Sequence, residues 1–357
     1  MELINEIVEV RNFWEAWVSV KRNHGAAGID KMPTDELDVY LSKHMDEIVS
    51  SICAKKYKPS PVRRVYIPKP NGKQRPLGIP TVVDRVVQQA AAQVLSRVYE
   101  PVFSEHSYGF RPQRSYHMAI RKALEYLNDG YEWVVDFDIF VKSEMAANRV
   151  MASVSNWLER KLRLKVSATK TKVVRPTKSK FLGFTFWKST KGWECKPTDT
   201  AKQKLEIKVK EVLLRKRAVA KSLSFVFTKL NQIVQGWVNY YHIGSMGTYL
   251  RDKFGPWLRH KVRVVIVKQW KKCGTIYKNL LTLKKIIKSN LDDNSIYQAA
   301  MTRLGWYRQC GLSVFNFLLS PKVLAMPKVN RTDKRKSRPG LVDPYALYQS
   351  LRSPICM

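Results

Sequence analysis

The sequence predicts an α+β protein, with short strands confined to its first 195 residues and helices dominating from there to residue 357. Three stretches lead to this reading. In Arg63–Pro80, RRVYIPKPNGKQRPLGIP, two short apolar-rich runs flank a Pro-Asn-Gly turn, the pattern of a β-hairpin. In Tyr131–Glu144, YEWVVDFDIFVKSE, Trp133, Val135, Phe137, Ile139 and Val141 alternate with the residues between them, the period of a strand with one apolar face. From Ala201 onward the apolar residues fall at helical spacing, as in Leu205, Val209, Val212 and Leu213. An apolar content of 45% over 357 residues supports a sizeable core and two or three domains.

Charge narrows the class of partner. Sixty-four Lys and Arg against 29 Asp and Glu leave +35. Such a surplus repels itself unless a polyanion neutralises it, which favours nucleic acid over a merely basic soluble protein. Ten Trp, 16 Tyr and 13 Phe are interleaved with the cations, and flat rings beside Arg suit unpaired bases, hence structured RNA more than duplex DNA. The five cysteines form no CxxC pair, which argues against a zinc site or a disulfide framework and for a reducing, cytoplasmic setting. Met1–Val10 is acidic and amphipathic rather than a secretory signal, and Lys261–Trp270 is too short and too charged to cross a bilayer, so no membrane role is expected.

The chain opens on an amphipathic helix carrying Leu3, Ile4, Ile7, Val8, Trp14, Trp17 and Val18 and ending at Lys21-Arg22-Asn23. HGAAGID, His24–Asp30, is a glycine-punctuated loop. A second helix starts near Thr34, with Thr34, Leu37, Leu41 and Ile48 on one side and Thr34 or Asp35 as its cap. In the hairpin, Val65-Tyr66-Ile67 and Leu77-Gly78-Ile79 are the strands. Its tip presents Lys69, Lys73 and Arg75, cations that suit a triphosphate or an RNA backbone, although a basic surface hairpin is the plainer reading. Val82–Tyr99 is a helix with small residues in its middle. SYGFRPQRS, Ser107–Ser115, is a loop that sets Arg111 and Arg114 beside Tyr108 and Phe110, and it leads into a helix over Ala119–Leu127.

One strand is expected from Trp133 to Val141. Asp136 and Asp138 would share its polar face about 7 Å apart, where they can hold one hard cation such as Mg²⁺. Ala146–Leu162 reads as a helix burying Val150, Val154, Trp157 and Leu158, and Leu164-Lys165-Val166 as the start of a strand, with Lys170 and Lys172 beyond it facing solvent, or else touching RNA. Lys180–Trp187 and Gly192–Cys195 form a second hairpin. The helix over Phe225–Tyr241 ends in QGWVNYYHIGSM, whose Trp237, Tyr240 and Tyr241 suit a core better than a base platform. Tyr249–Lys272 is a strongly basic helix broken near Gly255-Pro256. Arg251, Lys253, Arg259, Lys261, Arg263, Lys268, Lys271 and Lys272 surround its apolar stripe of Trp257, Leu258, Val262, Val265 and Ile266, and that single-sign density favours a phosphate-tracking surface. Shorter helices follow over Lys278–Leu319. Val329–Met357 reads as a flexible basic tail without zinc ligands.

The blocks IPKPNGKQRPLGIPTVVDRVVQQA, SYGFRPQRS, GYEWVVDFDI, FVKSEMAANRVM, LRLKVSATKTKVVRP, KFLGFTF and LNQIVQGWVNYY resemble, in order, those of the group II intron-encoded reverse transcriptases, which double as splicing maturases. The resemblance covers roughly Met1–Trp270. It implies right-hand polymerase fingers over 1–129, a palm over 130–195 and a helical thumb or maturase domain over 196–328, leaving 329–357 as tail. It also implies that Lys69 and Arg75 hold a nucleotide triphosphate, that Asp138 is the first catalytic aspartate and a Mg²⁺ ligand, and that the partner is group II intron RNA, with a DNA target in the intact family. Arg63, Arg64, Lys73, Arg111, Arg114, Arg259, Lys261, Arg263 and Lys268 are the candidate RNA contacts. The DNA endonuclease domain of some relatives is not expected.

The departure from the family lies at the joint. There the Asp138 strand continues into a double-aromatic segment, a PQGG loop and a YADD hairpin that supplies the remaining metal ligands. Here Ile139 belongs to the first palm strand while Phe140 onward resembles the strand after YADD, as an in-frame deletion would leave it. The expected protein therefore binds intron RNA and assists splicing, with RNA-directed DNA synthesis lost. The competing expectations are an active Mg²⁺-dependent RNA-directed DNA polymerase and a mobile-element remnant that does not fold cooperatively.

Overall fold

The structure is a computed structural model that describes residues 3–68, 72–135, 139–166, 171–327 and 338–352. The chain divides into two compact units, 1–115 and 116–357.

In the first unit the opening helix is two helices, α1 (Leu3–Val8) and α2 (Val10–Arg22), parted at Glu9, whose ψ of 132° leaves the helical region. The break resets the buried face. Phe13, Ala16 and Val20 go inward, while Trp14 and Val18, expected on the apolar side, are 55% and 42% exposed. Buried Asn12 pins the junction by donating to the Ile7 carbonyl (2.9 Å) and the Ala90 carbonyl (3.1 Å). Helix α3 (Leu37–Cys53) buries Leu37, Leu41 and Ile48 as its spacing predicts. Its N-cap position, however, is Glu36, with no side-chain cap bond, in place of the expected Thr34 or Asp35.

Strands β1 (Arg63–Pro68) and β2 (Gln74–Ile79) form the expected antiparallel hairpin, with Val65 opposite Leu77 and Ile67 opposite Arg75. Helix α4 (Val82–Tyr99) has the predicted bounds because Thr81 caps it: its hydroxyl oxygen accepts from the Asp84 amide (3.1 Å). Asp84, 2% exposed, in turn accepts from the Thr81 hydroxyl (2.6 Å), the Tyr57 hydroxyl (2.6 Å) and the Ser60 amide (3.1 Å). Burial, followed by this carboxylate, holds the Tyr57 hydroxyl far above its ordinary pKa. Val82, Val86 and Ala90 of α4 close the core on Phe13, Ala16, Leu37 and Leu41.

In the second unit α5 (Tyr116–Asn128) leads into the joint, and here the expectation of one strand fails. Trp133–Val135 (β3) and Ile139–Val141 (β4) are two strands that pair antiparallel with each other, Trp133 opposite Val141. A lone nine-residue strand would leave both edges unpaired. Folded back, β3 gains β4 on one side and β5 (Val173–Val174) on the other, in the order β4-β3-β5. Asp136 and Asp138, expected on the polar face of that strand, lie outside the described residues.

Helix α6 (Glu144–Lys161) is present, but of its residues only Ala147 is buried, and Trp157, expected inside, is 54% exposed. The three short strands beneath are too narrow to cover the helix. The strand expected at Leu164–Val166 is absent; Val173–Val174 supplies the ladder in its place. The second hairpin, β6 (Phe184–Ser189) and β7 (Gly192–Pro197), packs Phe184, Phe186 and Cys195 against Ile120, Ala123 and Leu127 of α5.

The rest is helical: α7 (Asp199–Val212), α8 (Arg215–Ala218), α9 (Leu223–Tyr241), a π-helical turn at Tyr249–Phe254, α10 (Gly255–Trp270), α11 (Cys273–Ile286), α12 (Asp293–Met301), α13 (Trp306–Gln309), α14 (Ser313–Leu318), α15 (Pro321–Ala325) and α16 (Pro344–Arg352). In place of the expected break near Gly255-Pro256, the π-helical turn runs directly into α10, with Phe254 and Gly255 both at helical dihedrals.

Two corrections concern this unit. Helix α10 is the middle of the core and not a surface helix: every residue from Val262 to Val267 is buried, Arg263 included. The predicted tail also folds back over residues 338–352. Leu341 and Tyr348 are 5% and 6% exposed, Asn231 donates to the Gly340 carbonyl (2.7 Å) and accepts from the Val342 amide (2.9 Å), and the Tyr348 hydroxyl donates to the Gly244 carbonyl (3.0 Å).

Candidate nucleic-acid interface

The hairpin β1–β2 stands clear of the first unit, nearly every residue on both strands being exposed. Side chains alternate along a strand, so the register sorts its cations by face. Arg63, Val65, Ile67, Arg75 and Leu77 share one face, and Arg64 and Tyr66 the other. Tyr66 is 53% and Ile67 45% exposed, rings and methyls that water alone covers poorly. Arg64, Lys73 and Arg75 are exposed, whereas Arg63 is half-buried with its Nε sealed from solvent. Lys69 lies outside the described residues.

The loop Ser107–Ser115 uses its two arginines differently from the reading above. The Arg111 guanidinium, 6% exposed, donates to Glu100 (2.8 Å) and to the carbonyls of Ser104 (2.6 Å) and Ser107 (2.9 Å), so it builds the loop. Its charge holds the Glu100 carboxyl below the usual carboxylate range. Arg114 reaches the Glu105 carbonyl at 3.3 Å and lies over the Tyr108 ring. The loop presents Phe110, fully exposed at a φ of +57°, a left-handed conformation uncommon for an aromatic residue.

In the second unit the cations of α10 separate by depth. Arg263 is enclosed, donating to the Leu319 carbonyl (3.0 Å) and to the Asn316 side chain, and burial lowers its pKa from the ordinary value. Arg259 pairs with Asp343 at 3.0 Å. Together with His260 these two arginines line a cavity of about 410 Å³. Lys261 lies 5.0 Å over the Tyr307 ring, Lys268 is half-buried, and Lys253, Lys271 and Lys272 are exposed. Of the candidates on this helix, Arg263 is structural, Arg259 is engaged by Asp343, and Lys261 and Lys268 are half-buried.

A groove of about 520 Å³ runs between α7 and α9, its walls carrying Lys204, Lys208, Gln232 and Ile233 and its floor Gly236, Trp237, Tyr240 and Tyr241. Tyr240 stacks on Tyr116 at 4.2 Å and 12°, and Tyr241 lies 5.0 Å from Phe184. These rings brace the hairpin β6–β7 as core aromatics would, yet they also line an open surface. Lys204 and Lys208 were not among the candidate contacts. Their signal was a basic i,i+4 pair beside a mid-helix glycine on another helix, and only the packing brings the two together.

The donor set for Mg²⁺ can be tested on the sheet β4-β3-β5. Its strands consist of Trp133, Val134, Val135, Ile139, Phe140, Val141, Val173 and Val174, without a carboxylate among them. Among the described residues no three His, Cys, Asp or Glu side chains converge as metal ligands. A two-metal centre needs acids from neighbouring strands, and these strands do not fit one. Also among the described residues, no helix is long and apolar enough to cross a membrane.

Two segments match family models: residues 67–141 match reverse transcriptase (RNA-dependent DNA polymerase), and residues 202–282 match the group II intron, maturase-specific domain. The first match ends at Val141, the last residue of β4. Similar proteins include the group II intron-encoded protein LtrA of Lactococcus lactis subsp. cremoris, 40% identical over 128 residues, which are 36% of this chain and 21% of LtrA. Protein YkfC of Escherichia coli K12 is 45% identical over 120 residues, 32% of this chain and 30% of YkfC. An uncharacterized 91 kDa protein in the cob intron of Schizosaccharomyces pombe is 35% identical over 127 residues, 36% of this chain and 16% of that protein. The matched stretch thus spans less than a third of each of these relatives.

Proposed function

Because the chain belongs to the group II intron-encoded reverse transcriptases and maturases, we propose that it binds intron RNA and assists splicing, and that it no longer copies RNA into DNA. One observation supports the second half of this reading: the strands that flank β3 are β4 and β5, and neither holds an acid. Among the described residues no carboxylates converge to let Mg²⁺ bridge a primer hydroxyl and a triphosphate, so no catalytic step is assigned to it.

What the residues do instead is hold RNA. Arg64, Lys73 and Arg75 on the hairpin and Lys253, Lys271 and Lys272 on the helical unit neutralise phosphates, releasing counterions. Tyr66 and Phe110 offer ring faces to unpaired bases. Preferential binding to the folded intron then stabilises it by mass action, which is the whole of a splicing helper's mechanism when no chemistry is contributed. The resemblance gives Lys69 and Arg75 to triphosphate binding, so nucleotide binding by itself would not revive the polymerase.

The polymerase reading draws on the match of residues 67–141 to reverse transcriptases. Primer extension on an RNA template with Mg²⁺ and all four deoxynucleotides, run beside Asp138→Ala, separates the two. We expect no extension from either chain. Extension by the wild-type chain that Asp138→Ala lacks would reinstate the enzyme.

A further inference from the structure

The groove between α7 and α9 has properties that core packing does not explain. Gly236 lies inside α9, where glycine costs about 1 kcal/mol relative to alanine. A tight neighbour would justify that cost, but a Cβ at this position would meet nothing within 4 Å. The glycine therefore leaves the floor of the groove open instead of relieving a clash.

The rings beside it are fixed at their edges. The Trp237 indole N–H donates to the Ala201 carbonyl (3.3 Å) and the Tyr240 hydroxyl to the Leu182 carbonyl (3.1 Å); with Tyr116 stacked on one face of Tyr240, what the two offer the groove is the ring surface their neighbours leave uncovered. On the rim, Lys204 and Lys208 are exposed and stand four residues apart on one side of α7. Other lysines of that helix are engaged: Lys202 pairs with Asp199 at 3.0 Å and Lys210 lies over Trp257. A like-charged i,i+4 pair weakens a helix by a few tenths of a kcal/mol unless an anion lies between the charges. At about 520 Å³ the groove is in the size range of small-ligand sites.

We propose that this groove receives a single unpaired nucleobase of bound RNA, its ring against Trp237 and Tyr240 over Gly236, with the flanking phosphates at Lys204 and Lys208. An apolar peptide side chain would fit the floor but would not need two cations at the rim. The proposal rests on the RNA-binding reading above and adds a base-specific contact to it.

The test uses the full chain and two probes, a short single-stranded RNA carrying 2-aminopurine and a blunt RNA duplex of the same length. The wild-type chain should quench the 2-aminopurine fluorescence on binding. Gly236→Leu fills the floor and should abolish the quench and weaken single-strand binding roughly 5- to 100-fold, the range for losing one base–aromatic stack, while duplex affinity holds within about twofold. Gly236→Ala should melt at or above the wild-type temperature with a smaller loss of quench. Replacing both lysines, Lys204→Gln and Lys208→Gln, should flatten the single-strand salt slope by about 1.4. If Gly236→Leu fails to fold, Gly236→Ala and the lysine pair decide. Unchanged quench in a folded Gly236 variant, or equal losses on both probes, would overturn the groove as a base site while RNA binding stands. A wild-type chain that binds neither probe would bring down the RNA-binding reading itself.

Discussion

At the scale of single residues, the charged side chains sort into those that hold the fold and those exposed to solvent, and their sequence surroundings do not tell them apart. Arg263 and Arg64 are both flanked by apolar residues and cations. Arg263 is 6% exposed and satisfies the Leu319 carbonyl and Asn316, partners more than 50 positions away that no local pattern reveals. Arg263→Ala should cost about 3 kcal/mol in denaturant melts by orphaning those acceptors, with the salt slope of RNA binding unchanged. Arg64→Ala should do the reverse, leaving stability alone and lowering the slope by about 0.7 to 0.9. Asp84 belongs with Arg263. Its carboxylate receives three donors inside the first unit, so Asp84→Ala should destabilise that unit by about 2 to 4 kcal/mol and Asp84→Asn, which keeps an acceptor, by less. Equal melting midpoints for the two variants would show that the three donors find other partners.

At the scale of elements, the sequence was most legible where a capping residue or breaker marks an end. Helix α4 begins at the Thr81 cap, as the sequence marks it. It was least legible where alternation alone had to fix the fold. Trp133–Val141 alternates as one strand would, yet two short strands joined by three residues have the same local pattern, and only the competition for edges decides between them. Cysteines placed at positions 133 and 141, with Cys53, Cys273 and Cys356 replaced by Ser, report on this directly. As cross-strand partners they should form a disulfide on mild oxidation, whereas in one continuous strand they would lie about 26 Å apart. Helix α16 was missed for a different reason. Leu341, Tyr345 and Tyr348 do fall at helical spacing, but the basic run before them lowers the apolar density of the whole segment. Tyr348→Ala should cost about 3 to 4 kcal/mol, and Tyr348→Phe, which loses the bond to the Gly244 carbonyl, about 1 kcal/mol. A Tyr348→Ala chain that melts like wild type would return residues 338–352 to the status of a tail.

At the scale of the whole molecule, composition pointed to a polyanion before any element was placed. A charge of +35 on 357 residues favours such a partner, while the number of cations available to it depends on the fold, since Arg111, Arg259 and Arg263 are spent on internal partners. The candidate interface was therefore half legible. The hairpin cations were readable from their turn, and the α7–α9 groove was not, because its two walls are distant in sequence and meet only when the helical core closes. The measurement that bears most directly on the account is equilibrium binding of the full chain to a folded group II intron RNA across a series of salt concentrations. Several phosphate contacts, each contributing about −0.7 to −0.9 to the log–log slope, should make the affinity fall steeply as salt rises. A slope near zero between low and physiological salt would contradict the account, since a chain of this charge that ignores salt is not held by phosphates.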